Sequence, residues 1–245
     1  MEVLLTSVAQ TVDTVFEVRR SFAVQPWWRG HCKVEWKLTP SIFRRQDLEF
    51  RSEPSMLGLF MTAAPSRQGT LPDRSDFAWL FLARHHGLPT RLLDWTQAAL
   101  TALYFAVVPP DEAPGALWAI NPDHLNRLLA GRTGVFLPTA PEIAPIFRRA
   151  LSGDKPPGYQ VAAVWPMEVD LRMLLQQSRF TVHDTGKPLE DLVADPSILR
   201  KHVIPAGAKL QIAAELESLG FRRSSLFPDL TTLAAEIGEL RFKKE

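Results

Sequence analysis

The sequence predicts an α+β fold, a single domain with a mixed or antiparallel sheet flanked by helices. Short apolar runs bounded by turn residues, at 27–31, 115–120 and 200–205, read as strands. Segments with apolar residues at helical spacing lie around them. No repeat, low-complexity tract or convincing linker divides the 245 residues, a length that can bury a sizeable core.

In order, Val8, Val12, Val15, Phe16 and Val18 predict a first helix over 6–22, ended by Pro26. Trp27 to His31 follows as a short buried strand. A charged helical region is expected from 42 to about 53, another helix over 55–61, and a polar loop or mobile flap over 65–75. A helix over 76–86 is broken at Gly87 and Pro89, after which Asp94 or Thr96 caps a new helix carrying Leu100, Leu103, Tyr104 and Val107. After the strand at 115–120, Asn121-Pro122 is a helix start, with Asn as cap and Pro in the first turn, and that helix runs to about Ala130. Residues 131–158, rich in Pro and Gly around a short helix at 142–151, read as a peripheral insertion. Strands are expected over 160–165 and 179–183, separated by a short helix or turn at 170–177. The strand at 200–205 leads into a helix ending at Gly220, and Asp229 caps a last helix over 230–240.

Composition excludes several classes. Hydrophobic residues make up 46% and charged residues 22%, and the net charge of +1 gives no bulk attraction to nucleic acid or an anionic membrane. The single cysteine, Cys32, allows neither an internal disulfide nor a multi-cysteine zinc site. The first residues carry no basic region and no long apolar run, so a cytoplasmic location is expected and no membrane partner.

Polar groups gather at residues 85–96, where His85, His86, Arg91 and Asp94 sit beside apolar segments, and so many polar groups next to a core point to a site. The plainer reading pairs Arg91 with Asp94 and leaves the histidines capping a helix C-terminus. A metal centre would need His85, His86 and Asp94 to converge with His31 or His183, yet adjacent histidines on a helix point about 100° apart. No Gly-x-Ser-x-Gly motif supports a serine nucleophile, and Cys32 is a lone residue beside a strand. Arg172 can pair with Asp170 or Asp229.

The run from His85 to Thr96, His-His-Gly-Leu-Pro-Thr-Arg-Leu-Leu-Asp-Trp-Thr, resembles the central motif of the FRG domain family of bacterial proteins, named for Phe-Arg-Gly. That signature stands here as Trp28-Arg29-Gly30. Arg84 takes the place of a usual Gln before the motif. Pro40 to Arg44, Ala102 to Ala106, Arg172 with Gln176 to Phe180, and Leu226 to Leu230 extend the resemblance over 24–237.

The order of segments also resembles ADP-ribosyltransferases. In those, an aromatic-Arg-Gly strand precedes a Ser/Thr segment, an Ala-x-x-Phe-Ala helix, and a Glu or Gln ahead of a later strand. This resemblance implies an ADP-ribosyltransferase-like fold with catalytic Arg29, Thr96 and Gln176 and ligand-binding Gly30, His85, Arg91, Asp94 and Trp95. Arg29 would pair with a pyrophosphate, Gly30 would admit a nicotinamide amide, Thr96 would orient a neighbour, and Gln176 would bond a ribose hydroxyl. It implies a nucleotide-like ligand such as NAD as substrate, no other cofactor, an unidentified macromolecular acceptor, and a toxin or phage-defence role. Gln176 stands where such transferases carry Glu, and a dipole stabilises an oxocarbenium-like state less than a charge does. The alternative is a non-catalytic nucleic-acid- or protein-binding module, with Arg29, Arg44, Arg45, Arg84 and Arg91 meeting phosphates and Trp27, Trp28 and Trp95 stacking.

Overall fold

Local chemistry sets the first elements. Ser7 accepts the Gln10 N–H at 3.2 Å and opens α1 (Val8–Phe22), which buries Val8, Thr11, Val18 and Phe22 on one face. Ala23 ends it in the left-handed region at φ 58. The structure, a computed structural model, describes residues 4–44, 52–67, 76–153, 161–168 and 171–239. Next come β1 (Trp27–His31), α2 (Ser41–Arg44), α3 (Ser52–Ala63), α4 (Asp76–His85), β2 (Leu92–Thr96) and α5 (Ala99–Val107). They are followed by β3 (Gly115–Ile120), α6 (Pro122–Ala130), α7 (Ala144–Ser152), β4 (Val161–Val164), α8 (Leu171–Leu175) and β5 (Ser178–His183). The chain closes with α9 (Leu189–Leu192), β6 (Leu199–Ile204), α10 (Lys209–Ser218), α11 (Arg223–Leu226) and α12 (Leu230–Glu239).

The six strands form one sheet in the order β4-β5-β2-β1-β3-β6, with every neighbouring pair antiparallel. The fold is therefore α+β with an antiparallel sheet between helices. Strand alternation sends side chains to two faces. On one face, Trp28, Leu117 and Ala119 pack with α1, α5 and α10, while Leu92, Phe180 and Val182 pack with α3, α4 and α7. On the other, Trp27, Leu93, Trp95 and Trp118 form a third cluster with Leu125 of α6. The first face thus carries two cores with a seam between them at mid-sheet.

The sheet opens at that seam. β1 and β3 pair over five residues and β2 and β5 over five, but β1 and β2 share the single register pair Trp28↔Thr96.

Two sequence expectations are corrected. Residues 92–96 form a central strand, so Asp94 caps no helix; Thr96 Oγ1 accepts the Ala98 N–H at 2.9 Å one residue before α5. The described part of 131–158 is no peripheral insertion either. Phe136, Ile143, Ile146, Phe147 and Ala150 are fully buried against Phe81 and Phe180, because α7 repeats apolar residues at helical spacing. The expected cap at Asn121 is present, accepting the His124 N–H at 3.0 Å, as is that at Asp229, accepting the Thr232 N–H at 2.8 Å. Most of the charged helix over 42–53 and of the flap over 65–75 lies outside the described residues. Among the described residues no helix is long and apolar enough to cross a membrane.

Candidate functional site

A cleft of about 860 Å³ lies on the seam, and its walls come from segments far apart in sequence. Arg29 and Gly30 enter from β1, Arg84 and His85 from the end of α4, Asp94 and Thr96 from β2, Arg172 and Gln176 from α8 and its exit, and Asp229 from the start of α12. Trp28, Phe105 and Phe180 give it apolar walls, a mixture usual for small-molecule sites.

Arg29 sits where the two central strands part. Its Nη1 donates to the Asp94 carbonyl at 2.6 Å, satisfying a backbone acceptor that the open ladder leaves without a strand partner. Its Nε donates to His31 Nε2 at 2.9 Å, so the His31 proton sits on Nδ1, which faces the Trp36 carbonyl at 3.2 Å. Burial pushes Arg29 down to about 10, against the pull of Asp94, and the guanidinium stays charged at neutral pH.

Asp94 pairs with Arg84, the residue that stands in place of the motif's usual Gln. Arg84 Nε lies 3.1 and 3.0 Å from the two carboxylate oxygens, Nη2 also donates to Oδ2, and Nη1 reaches Ser41 Oγ at 3.2 Å. Burial alone would raise the Asp94 carboxyl, but Arg84 and then Arg29 hold it below its ordinary value. Asp94 in turn raises Arg84.

Thr96 Oγ1 donates to the Gln176 carbonyl at 2.6 Å, and the Gln176 side-chain Nε2 donates to the Leu226 carbonyl at 3.0 Å. Gln177 takes a left-handed φ of 46, turning the chain from α8 into β5 beside Thr96. The Arg172 guanidinium lies 4.3 Å over the Phe227 ring and donates to the His85 carbonyl at 3.4 Å. Of the two partners expected for Arg172, Asp170 lies outside the described residues, and Asp229 accepts the Thr232 N–H and hydroxyl, each at 2.8 Å.

Arg29, Gly30, His85, Asp94, Thr96 and Gln176 thus share one cleft; Arg91 does not. It is fully buried, bonded to Glu53 and Asp184, and pairs with neither Asp94 nor the cleft. Trp95 borders the cleft, but its indole is buried and its Nε1 donates to Thr181 Oγ1 at 3.1 Å, so it offers no free stacking face. Gly30 lacks a side chain for a different reason than ligand access: a Cβ there would sit 1.9 Å from the Ala102 carbonyl of α5. The two imidazoles of His85 and His86 stand 5.0 Å apart at 89°, and His183 is buried elsewhere, bonded to Thr181 at 2.8 Å. Among the described residues no cluster of three His, Cys, Asp or Glu side chains is placed to hold a metal ion.

Burial lowers His31 and His183 to about 3 and His202 to about 4. All three stay neutral in the folded chain but take up a proton near 6.5 once unfolded. The unfolded state therefore binds more protons between those values, and stability falls as pH drops below about 6.5. The loss at pH 5 is expected to be about 2 kcal/mol per histidine. Urea titrations from pH 7.5 to 5 should show uptake approaching three protons on unfolding; uptake below one would contradict the neutral, buried assignment.

No curated protein and no solved structure matches this chain. The family model of the FRG domain matches residues 25–114. That span runs from the Trp28-Arg29-Gly30 strand through α4 and the His85-to-Thr96 motif to α5, and supplies most of the polar wall of the cleft; this chain carries an FRG domain.

Proposed function

We propose that the cleft binds a nucleotide-like ligand of the dinucleotide class, such as NAD. The observation that carries this reading is the meeting of Arg29 and Gln176 across one cleft, with Thr96 fixing the Gln176 backbone between them. Arg29 is a charged, oriented guanidinium suited to a phosphate. Gln176 offers an amide to a ribose hydroxyl, and the half-buried Phe105 supplies apolar surface for a base.

Binding is favoured over fast turnover. Breaking an N-glycosidic bond builds positive charge on the ribose, and a nearby carboxylate stabilises it best. Among the described residues two carboxylates line the cleft, and both are engaged: Asp94 with Arg84 and Arg29, Asp229 with the Thr232 N–H and hydroxyl. The wild-type chain should therefore bind NAD and cleave it slowly. Gln176→Glu should raise cleavage by about tenfold or more, by placing a charge where the amide sits. Labelled NAD incubated with wild type, Q176E and Arg29→Ala tests this, scoring hydrolysis and transfer beside the melting temperature. No binding by the wild type, or equal binding by folded R29A, removes the reading.

A protein-docking role is the second reading, supported by exposed apolar side chains beside the same cleft. Leu174 and Leu175 of α8 and Leu230, Leu233 and Ile237 of α12 are all more than 40% exposed.

A further inference from the structure

Among the described residues the cleft wall carries more guanidinia than carboxylates, Arg29, Arg84 and Arg172 against Asp94 and Asp229. Asp94 is the carboxylate whose charge acts on Arg29, Arg84 and Arg44; Arg44 does not line the cleft, so on its wall the Arg29 and Arg84 guanidinia share that one negative group. Arg44 is exposed at the end of α2, whereas the Arg29 and Arg84 side chains are only 16% and 17% exposed. Excess charge that is partly removed from water is costly unless an anion completes it.

Arg84 is built to receive one. Its Nε and Nη2 grip Asp94 and its Nη1 reaches Ser41, which fixes the guanidinium plane. Each Nη keeps one further N–H uncommitted among the described residues. Arg29 likewise keeps Nη2 clear of its bonds to Asp94 and His31. Two fixed, forked donors on the wall of one cleft, tied by a shared carboxylate, match the spread oxygens of a phosphate chain better than a single anion.

We propose that Arg84 is a specificity-determining residue that, with Arg29, takes a dianionic linking diphosphate, while Asp94 stays in place as the counter-ion holding both guanidinia. The proposal rests on the nucleotide reading above and adds the charge the ligand must carry. A diphosphate joining two nucleosides brings the negative charge that two guanidinia sharing one carboxylate can still accept. A neutral nucleoside meets the same apolar walls but leaves the guanidinia unbalanced.

Isothermal titration with ADP-ribose, adenosine and inorganic pyrophosphate, against wild type, Arg84→Gln and Arg84→Lys, tests it. ADP-ribose should bind the wild type, lose roughly 10- to 100-fold in R84Q and recover in part in R84K, which restores charge without the fork. Adenosine should bind all three proteins equally weakly, and pyrophosphate should follow the ADP-ribose trend. Asp94 is 38% exposed, so water can solvate it in R84Q, and melting temperatures verify folding. Arg84-dependent pyrophosphate binding with no gain from the nucleoside parts supports the clamp and sinks the nucleotide reading. ADP-ribose binding within about twofold of wild type in R84Q, an equal loss for adenosine, or no binding of any probe overturns the clamp.

Discussion

Arg91→Ala is expected to cost about 3–5 kcal/mol of folding stability, the usual penalty for breaking a buried ion pair from one side. Arg91 donates to Glu53 through its backbone N–H at 2.9 Å, Nε at 2.9 Å and Nη2 at 2.7 Å, and its Nη1 reaches Asp184 at 2.9 Å and the Ile146 carbonyl at 3.3 Å. Arg149 completes the network on the far side of Asp184 at 2.6 Å. None of the Arg91, Glu53 or Asp184 side chains is more than 2% exposed. One guanidinium thus ties α3, α7, β2 and the end of β5, and alanine would leave the Glu53 carboxyl buried without its partner, with burial pushing it further up. Against a total of about 5–15 kcal/mol, that loss brings the chain near unfolding. Urea denaturation reads it directly. The double variant Arg91→Met with Glu53→Met should recover a large part, since an apolar pair removes both charges together. A loss below about 1 kcal/mol in R91A would show that the network contributes little.

The contrast between Arg91 and Arg84 shows how far sequence could reach. Arg91 sits within the densest polar run and reads as a ligand group, but its partners Glu53 and Asp184 lie far away in the chain and no spacing rule connects them. Arg84 did leave a signal: it closes a helix whose preceding residues 77–83 are apolar, and a charge there must find a partner or a solvent-filled hollow. β2 was hidden for a related reason. Leu92, Leu93 and Trp95 are buried on both faces of a central strand, so the alternation that marks β5 never appears. In α7 and the Ile143 that precedes it, the stripe Ile143, Ile146, Phe147 and Ala150 was readable as core, but neighbouring Pro and Gly residues obscured it. The gathering of Arg29, Asp94, Thr96 and Gln176 follows from motif order, whereas the single β1–β2 register pair that makes room for them belongs to tertiary packing alone.

Gly30→Ala separates the two roles that this glycine can play. Sequence suggests that the missing side chain admits a ligand to the backbone. Packing gives another reason: an added Cβ would stand 1.9 Å from the Ala102 carbonyl and 2.7 Å from the Ala106 nitrogen, both backbone atoms of α5. A side chain could rotate away, but helix backbone cannot, so α5 must move off β1 as a unit. The expected cost is about 3 kcal/mol, at the upper end of what overpacking produces. Because Thr101, Ala102 and Phe105 of α5 also line the cleft, ligand affinity should fall in the same variant. Thermal melts and NAD titration on one preparation decide between the roles. A lower melting temperature together with weaker binding supports packing, with the cleft deformed as a consequence. An unchanged melting temperature with binding abolished would instead mean that α5 yields easily and that the open space at Gly30 serves the ligand. The backbone distances favour the first outcome, since relief of a 1.9 Å contact with a carbonyl oxygen requires moving the helix that forms one wall of the site.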